Sequence, residues 1–197
     1  MDRELEELKR PRSGESRFVN CKVDAICLIF IAIKPPIDPV RLVWTYLSEV
    51  EQTGVTRTRS AQRYAPVSDS CAATIEDILN LAKRLFPPHF EFYSFDILSL
   101  RSYASVQYKI IITSRNHTGV DKGELIRALA ACVPKDRGHS VDLDNPDLVI
   151  LVELYAFVCG IGIVPDYYRF KRFNAVAVGE NYRKGVDDIK PRQLEAS

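Results

Sequence analysis

The chain has 197 residues, 46% of them hydrophobic, which is enough to bury a real core and excludes a wholly disordered tail. Its net charge of +1 makes no case for a nucleic-acid binder by totals, so any basic surface must be a local cluster. No apolar run reaches the roughly 18 residues of a membrane span, and Met1-Asp2-Arg3-Glu4 is too charged to open a signal peptide.

Residues 1–16 read as a short helix, Arg3 to Lys9, followed by a linker carrying Pro11 and Gly14. Val23 to Ile33 is expected as a strand stopped by Lys34-Pro35-Pro36. Asp38 then caps a helix with Pro39 at its first position, and Val40, Val43, Trp44, Leu47 and Val50 share one face before Gly54 ends the run. Thr56 to Pro66 is expected to be extended, with Arg57, Arg59 and Arg63 alternating onto one face. Thr74 and Asp77 resemble a capping box for a second helix. Its apolar face runs from Ile75 to Phe86, and Pro87-Pro88 is expected to end it. His89 to Val106 is rich in aromatics (Phe90, Phe92, Tyr93, Phe95, Tyr103), read as packing between two subdomains.

Val106 to Thr113 has the composition of a strand. Asp121, with Glu124 three residues on, opens a helix that presents Leu125, Ala128, Leu129 and Cys132 on one side. Asn145-Pro146 marks a turn, because proline holds its predecessor out of the helical region. Leu148 to Val152 suits a strand buried on both faces. The stretch Cys159-Gly160-Ile161-Gly162 reads as a second strand whose glycines allow close backbone packing. A basic, aromatic segment follows, Tyr167-Tyr168-Arg169-Phe170-Lys171-Arg172-Phe173-Asn174. Cations interleaved with flat rings are what RNA phosphates and unstacked bases require. Phe170 and Phe173 are assigned to core packing.

Several chemistries find no motif. Gly160-Ile161-Gly162 has no helix opening after it, so it is not a dinucleotide or methyl-donor turn. No phosphate-cradling Gly/Ser loop is present, and neither is a zinc-deaminase signature. His89, His117 and His139 lie at no recognisable spacing from a nucleophile. Cys21, Cys27, Cys71, Cys132 and Cys159 form no Cys-x-x-Cys pair and read as reduced thiols of an intracellular protein. Asp142, Asp144 and Asp147 lack the spacing of a calcium loop and read as turn carboxylates. No metal and no cofactor is expected.

Ordered motifs do resemble a known family. Pro66-Val67-Ser68-Asp69-Ser70-Cys71, Tyr108 to Asn116 with its Ser-Arg-Asn ending, Val141-Asp142-Leu143 with Asn145-Pro146, Val152-Glu153, Val158-Cys159, Val164 with Asp166-Tyr167, and Lys171-Arg172-Phe173-Asn174 look like the THUMP domain. The closer likeness is to the small THUMP proteins that assist tRNA acetylation, over roughly residues 17 to 176. The resemblance implies an α+β fold, with a ferredoxin-like subdomain at 17–100 and a THUMP α/β domain at 101–176; after Asn174 the sequence itself fades, and 177–197 is expected to be a mobile tail. With few residues ahead of Phe18, the family's first βα unit is expected to be missing or replaced by residues 1–16.

It also implies a non-catalytic adaptor. Such an adaptor binds tRNA and presents serine and leucine tRNAs to a separate RNA cytidine acetyltransferase, which makes 4-acetylcytidine in the D-arm. The implied setting is intracellular, nuclear or nucleolar rather than cytoplasmic. The RNA contacts to expect are Arg57, Arg59, Arg63, Arg115, Asn116, Lys122, Arg127, Arg169, Lys171, Arg172 and Asn174. Two other readings stay open at this level: a protein-interaction scaffold that touches no RNA, and an autonomous enzyme with an unrecognised site.

Overall fold

The computed structural model describes residues 16–23, 27–91, 105–135 and 137–194. The expected helix at Arg3–Lys9 and the aromatics Phe92, Tyr93, Phe95 and Tyr103 lie outside them. The chain divides into two compact units, residues 1–39 and 40–197.

In the first unit, β1 (Phe18–Cys21) and β2 (Phe30–Ile33) pair antiparallel, Phe18 opposite Ile33, and the Lys34 amide donates to the Arg17 carbonyl at 2.9 Å. The single strand expected over Val23–Ile33 is therefore corrected to the second arm of a hairpin. Cys27 has a left-handed φ of 61°, which a continuous strand does not allow.

The second unit is built on a five-stranded sheet. Its elements are α1 (Pro39–Thr53, entering from the first unit), β3 (Asp69–Ala72), α2 (Ile75–Glu91), β4 (Gln107–Arg115), α3 (Lys122–Ala131), β5 (Ser140–Val141), β6 (Leu148–Tyr155), β7 (Val158–Pro165) and α4 (Ala175–Leu194). Strand order is β3-β7-β6-β4-β5, with β4 parallel to β5 and β6, and β7 antiparallel to β6 and β3. Because β3 pairs with β7, β3 and α2 join the sheet formed by later residues. The expected division at residue 100 thus does not separate two sheets.

Successive side chains on a strand point to opposite faces, and β6 uses this fully. Leu148, Ile150, Val152 and Leu154 pack with α2 and α3 through Ile78, Phe86, Leu125 and Leu129. Val149 and Leu151 pack on the other face with Val40, Leu47 and Val50 of α1, with Phe170 and Phe173, and with Ala175 and Val178 of α4. Burial on both faces explains a strand with no polar alternation.

The local signals act as the sequence suggests at three ends. The Asp77 amide donates to the Thr74 hydroxyl at 3.2 Å, the Glu124 amide donates to Asp121 Oδ1 at 2.7 Å, and Gly54 ends α1 at φ 68°. Two other ends are corrected. α2 continues through Pro87-Pro88 to Glu91, since Phe90 is buried against Phe86 and Tyr108 and tertiary packing outweighs the missing amides. The expected mobile tail is instead α4. Asn174 Oδ1 accepts from the Ala177 amide at 3.2 Å, and Ala175 and Val178 are buried.

Candidate nucleic-acid interface

The site lies on the sheet face that carries α1 and α4, at the C-terminal ends of β4 and β6. Lys109, Ile111, Thr113 and Arg115 alternate onto this face of β4, Ile111 marking it by its packing with the second core. Thr113 stands opposite Glu153 of β6, and Arg115 opposite Tyr155. Glu153 is half-buried. Burial raises its carboxyl above the ordinary glutamate value, while the donating Thr113 hydroxyl and the positive charges of Arg115 and Arg63 pull it back down.

Arg63 reaches the same place by another route. It forms an isolated antiparallel bridge with Asn174, the Tyr64 amide donates to the Phe173 carbonyl at 3.0 Å, and the Ala175 amide donates to the Gln62 carbonyl at 2.8 Å. Arg172 completes the group. The Tyr167 phenol is raised by burial, with Arg63 and Arg172 opposing that shift and Glu153 adding to it. Arg63 thus acts on both the carboxyl and the phenol, Arg115 on the carboxyl and Arg172 on the phenol, and all three are exposed.

A left-handed turn aims the last of these. Lys171, Arg172 and Phe173 have φ of 52°, 58° and 57°, with no glycine among them. The Arg172 amide donates to the Tyr167 carbonyl at 2.8 Å and the Asn174 amide to the Phe170 carbonyl at 3.2 Å. Phe170 and Phe173 are fully buried, as expected, and hold the turn from beneath. Trp44 stacks edge-on against Phe170 and donates to Asp166 Oδ2 at 2.9 Å.

The remaining expected contacts are dispersed. Thr56 to Pro66 is not a strand: only Arg63 bridges, and Arg57 is hydrogen-bonded to Glu49, so the alternating stripe of three arginines is corrected. Arg59 is exposed on a bend. Arg169 lies over the Phe170 ring and is forked onto Glu51, with bonds of 3.1 and 2.7 Å, which with Asp166 raises its guanidinium further. Lys171 lines a shallow cleft with Glu51, Val178 and Tyr182. Asn174 caps α4 through its side chain, and Asn116 turns the chain after β4 at φ 53°. Lys122 and Arg127 ride on α3, which covers the opposite sheet face. Lys109 is engaged with the Leu143 carbonyl at 2.6 Å and the Tyr168 hydroxyl at 2.7 Å.

Sequence reading missed Glu153 and Tyr167 as members of the site. The signal was a lone carboxylate closing a run of buried apolar residues, where a charge is costly unless partnered.

Among the described residues no group of His, Cys, Asp or Glu is placed to hold a metal ion, and no helix is long and apolar enough to cross a membrane.

Residues 72–164 match the THUMP domain family. The chain is 30% identical to the human protein named THUMP domain-containing protein 1, over 80% of this chain and 42% of that protein. It is 27% identical to the Saccharomyces cerevisiae protein named tRNA acetyltransferase TAN1, over 94% of this chain and 68% of that one. The chain spans about half the length of curated relatives it matches, 49% and 46% of two of them. Among solved structures it resembles the Pyrococcus horikoshii protein PH1313 at a TM-score of 0.51, with 12% identity over 75% of this chain and 44% of that one, a likeness of fold. The likeness to the THUMP domain family is thus carried by residues 72–164.

Proposed function

We propose that the chain binds tRNA through this face and acts as an adaptor, presenting tRNA to a separate RNA cytidine acetyltransferase. The finer reading is that serine and leucine tRNAs are presented for 4-acetylcytidine formation in the D-arm, in a nuclear or nucleolar setting. The observation that carries the RNA reading is the convergence of Arg63, Arg115 and Arg172, from three separate segments, around Glu153 and Tyr167. Exposed guanidiniums grouped on one face suit phosphate oxygens. Likeness to the protein named tRNA acetyltransferase TAN1 supports the acetylation context. An acetyl transfer must place one cytidine beside its donor, and an adaptor that fixes the orientation of the RNA lowers the entropic cost of that encounter.

The test joins binding to activity. Affinity for folded tRNA should fall as salt rises, and Arg63→Ala, Arg115→Ala and Arg172→Ala should each flatten the slope of log K against log salt by about 0.7–0.9. Purified chain given tRNA, acetyl-CoA and ATP should form no acetylcytidine until the acetyltransferase is added. A salt-independent affinity, or acetylation by the chain alone, would overturn the reading.

A further inference from the structure

The β6–β7 hairpin departs twice from its own local chemistry. Tyr155 pairs with Val158, leaving a two-residue loop of Ala156 and Phe157. Ala156 stands at φ 48°, in the left-handed region where this first loop position calls for glycine. Phe157 follows and is 88% exposed, at a tip where turns ordinarily carry polar residues. A side chain that exposed contributes little to the fold. Two departures at one turn point toward function, since sequences break local rules mainly where a site requires it.

The tip is rigidly held. The Ala156 amide donates to the Arg115 carbonyl at 3.1 Å, and His117 Nδ1 lies 2.7 Å from the Ala156 carbonyl, which it can meet only as a donor. The Ala73 amide donates to the Phe157 carbonyl at 2.8 Å. The backbone of the tip is thereby joined to that of Arg115, whose side chain is one of the three arginines of the site. The surroundings are polarised. Ala73, bonded to Phe157, leads into α2, whose first turn carries Glu76 and Asp77.

We propose that Phe157 is a stacking platform for an unpaired RNA base whose adjoining phosphate is held by Arg115. This rests on the RNA-binding reading above. An exposed ring on a tip whose backbone is bonded to that of an arginine is suited to a base with a free face, and bases inside a duplex have none.

The experiment uses the full chain and two probes, an RNA hairpin with a short single-stranded tail and the same hairpin blunt-ended, in fluorescence anisotropy. Phe157→Ala should weaken binding of the tailed RNA by roughly 5- to 150-fold. It should leave the blunt hairpin, the salt slope and the melting temperature unchanged. Phe157→Trp should restore affinity, and its indole emission should be quenched by the tailed RNA beyond any change seen in wild type, whose only tryptophan is Trp44. Arg115→Ala should weaken both probes. If Phe157→Ala binds the tailed RNA like wild type while Arg115→Ala does not, stacking is overturned and the RNA reading stands. Equal loss on both probes, or loss of a protein partner with RNA affinity intact, also overturns it. If wild type binds neither probe, both readings fall.

Discussion

Glu153 and Cys159 are half-buried and buried titratable groups set on the sheet, and each makes a prediction at the scale of one side chain. The folded-state carboxyl of Glu153 is raised above its ordinary 4.5, with burial the largest cause. A raised acid disfavours the fold when it ionises. Its contribution is therefore best below pH 4.5, declines as pH rises through the folded value, and stays constant above it. Glu153→Gln keeps an acceptor for the Thr113 hydroxyl without the charge. It should melt no lower than wild type at pH 7, and its advantage should vanish below about pH 4.5 in paired denaturation curves. Asp142 acts with the opposite sign: the Asn145 and Asp144 amides lower its carboxyl below 3.8, so its contribution is lost only as pH falls further. The Cys159 thiol is pushed up to about 12, by burial first and then by Cys71. Only a thiolate alkylates readily. Timed iodoacetamide labelling at about pH 8 should modify exposed Cys27 quickly and leave Cys159 unmodified until the chain unfolds.

At the scale of elements, the glycine pair of β7 separates two degrees of crowding. A Cβ on Gly162 would stand 2.0 Å from the Pro66 carbonyl oxygen, whereas one on Gly160 would meet the Val67 methyls at 2.8 and 2.9 Å. Side chains yield more easily than backbone. Gly160→Ala should cost about 1–3 kcal/mol in urea denaturation, and Gly162→Ala more. This close packing was legible in the sequence, because glycines inside a strand pattern, with no helix opening after them, mark a backbone that another segment approaches closely. The left-handed turn was not. Lys171, Arg172 and Phe173 carry no residue that advertises a positive φ, and burial of Phe170 and Phe173 imposes the conformation from outside. Lys171→Gly should therefore gain up to about 1 kcal/mol of thermal stability while Lys171→Ala gains none. Helix α4 was hidden for a related reason: Ala-Val-Ala-Val-Gly-Glu-Asn offers a small apolar face that only the second core makes useful.

On the scale of the whole molecule, one sheet serves two cores that meet only through its backbone. Ile78 belongs to one and Val178 to the other. Ile78→Val and Val178→Ala should each destabilise, by about 0.5–1.5 kcal/mol for the first. The double variant should equal their sum within about 0.5 kcal/mol, a result that a single continuous core would not give. The strands and helices were legible where apolar periodicity and caps coincided, as at Asp121 and Thr74. The strand order was not, because β3 looks like the close of a separate βα unit until its partner β7 is known. The basic site was half legible for the same reason. Its residues are visible as clusters, but the sheet and the left-handed turn choose Arg63, Arg115 and Arg172 from among them.

That strand order also governs the chain as it is made. Translation delivers β3 long before β7, so Asp69–Ala72 leaves the ribosome with no strand to bond, and β4 waits likewise for β6. The β6–β7 hairpin, closed by two residues, is the fastest piece to form and the last of the sheet to be synthesised. A nascent chain arrested before Val158 therefore holds Ala73 and Ser68 amides whose acceptors, Phe157 and Ile161, are not both available. Assembly of the sheet is consequently a late event of biosynthesis, and the apolar segments upstream of it stay without their strand partners for as long as that wait lasts.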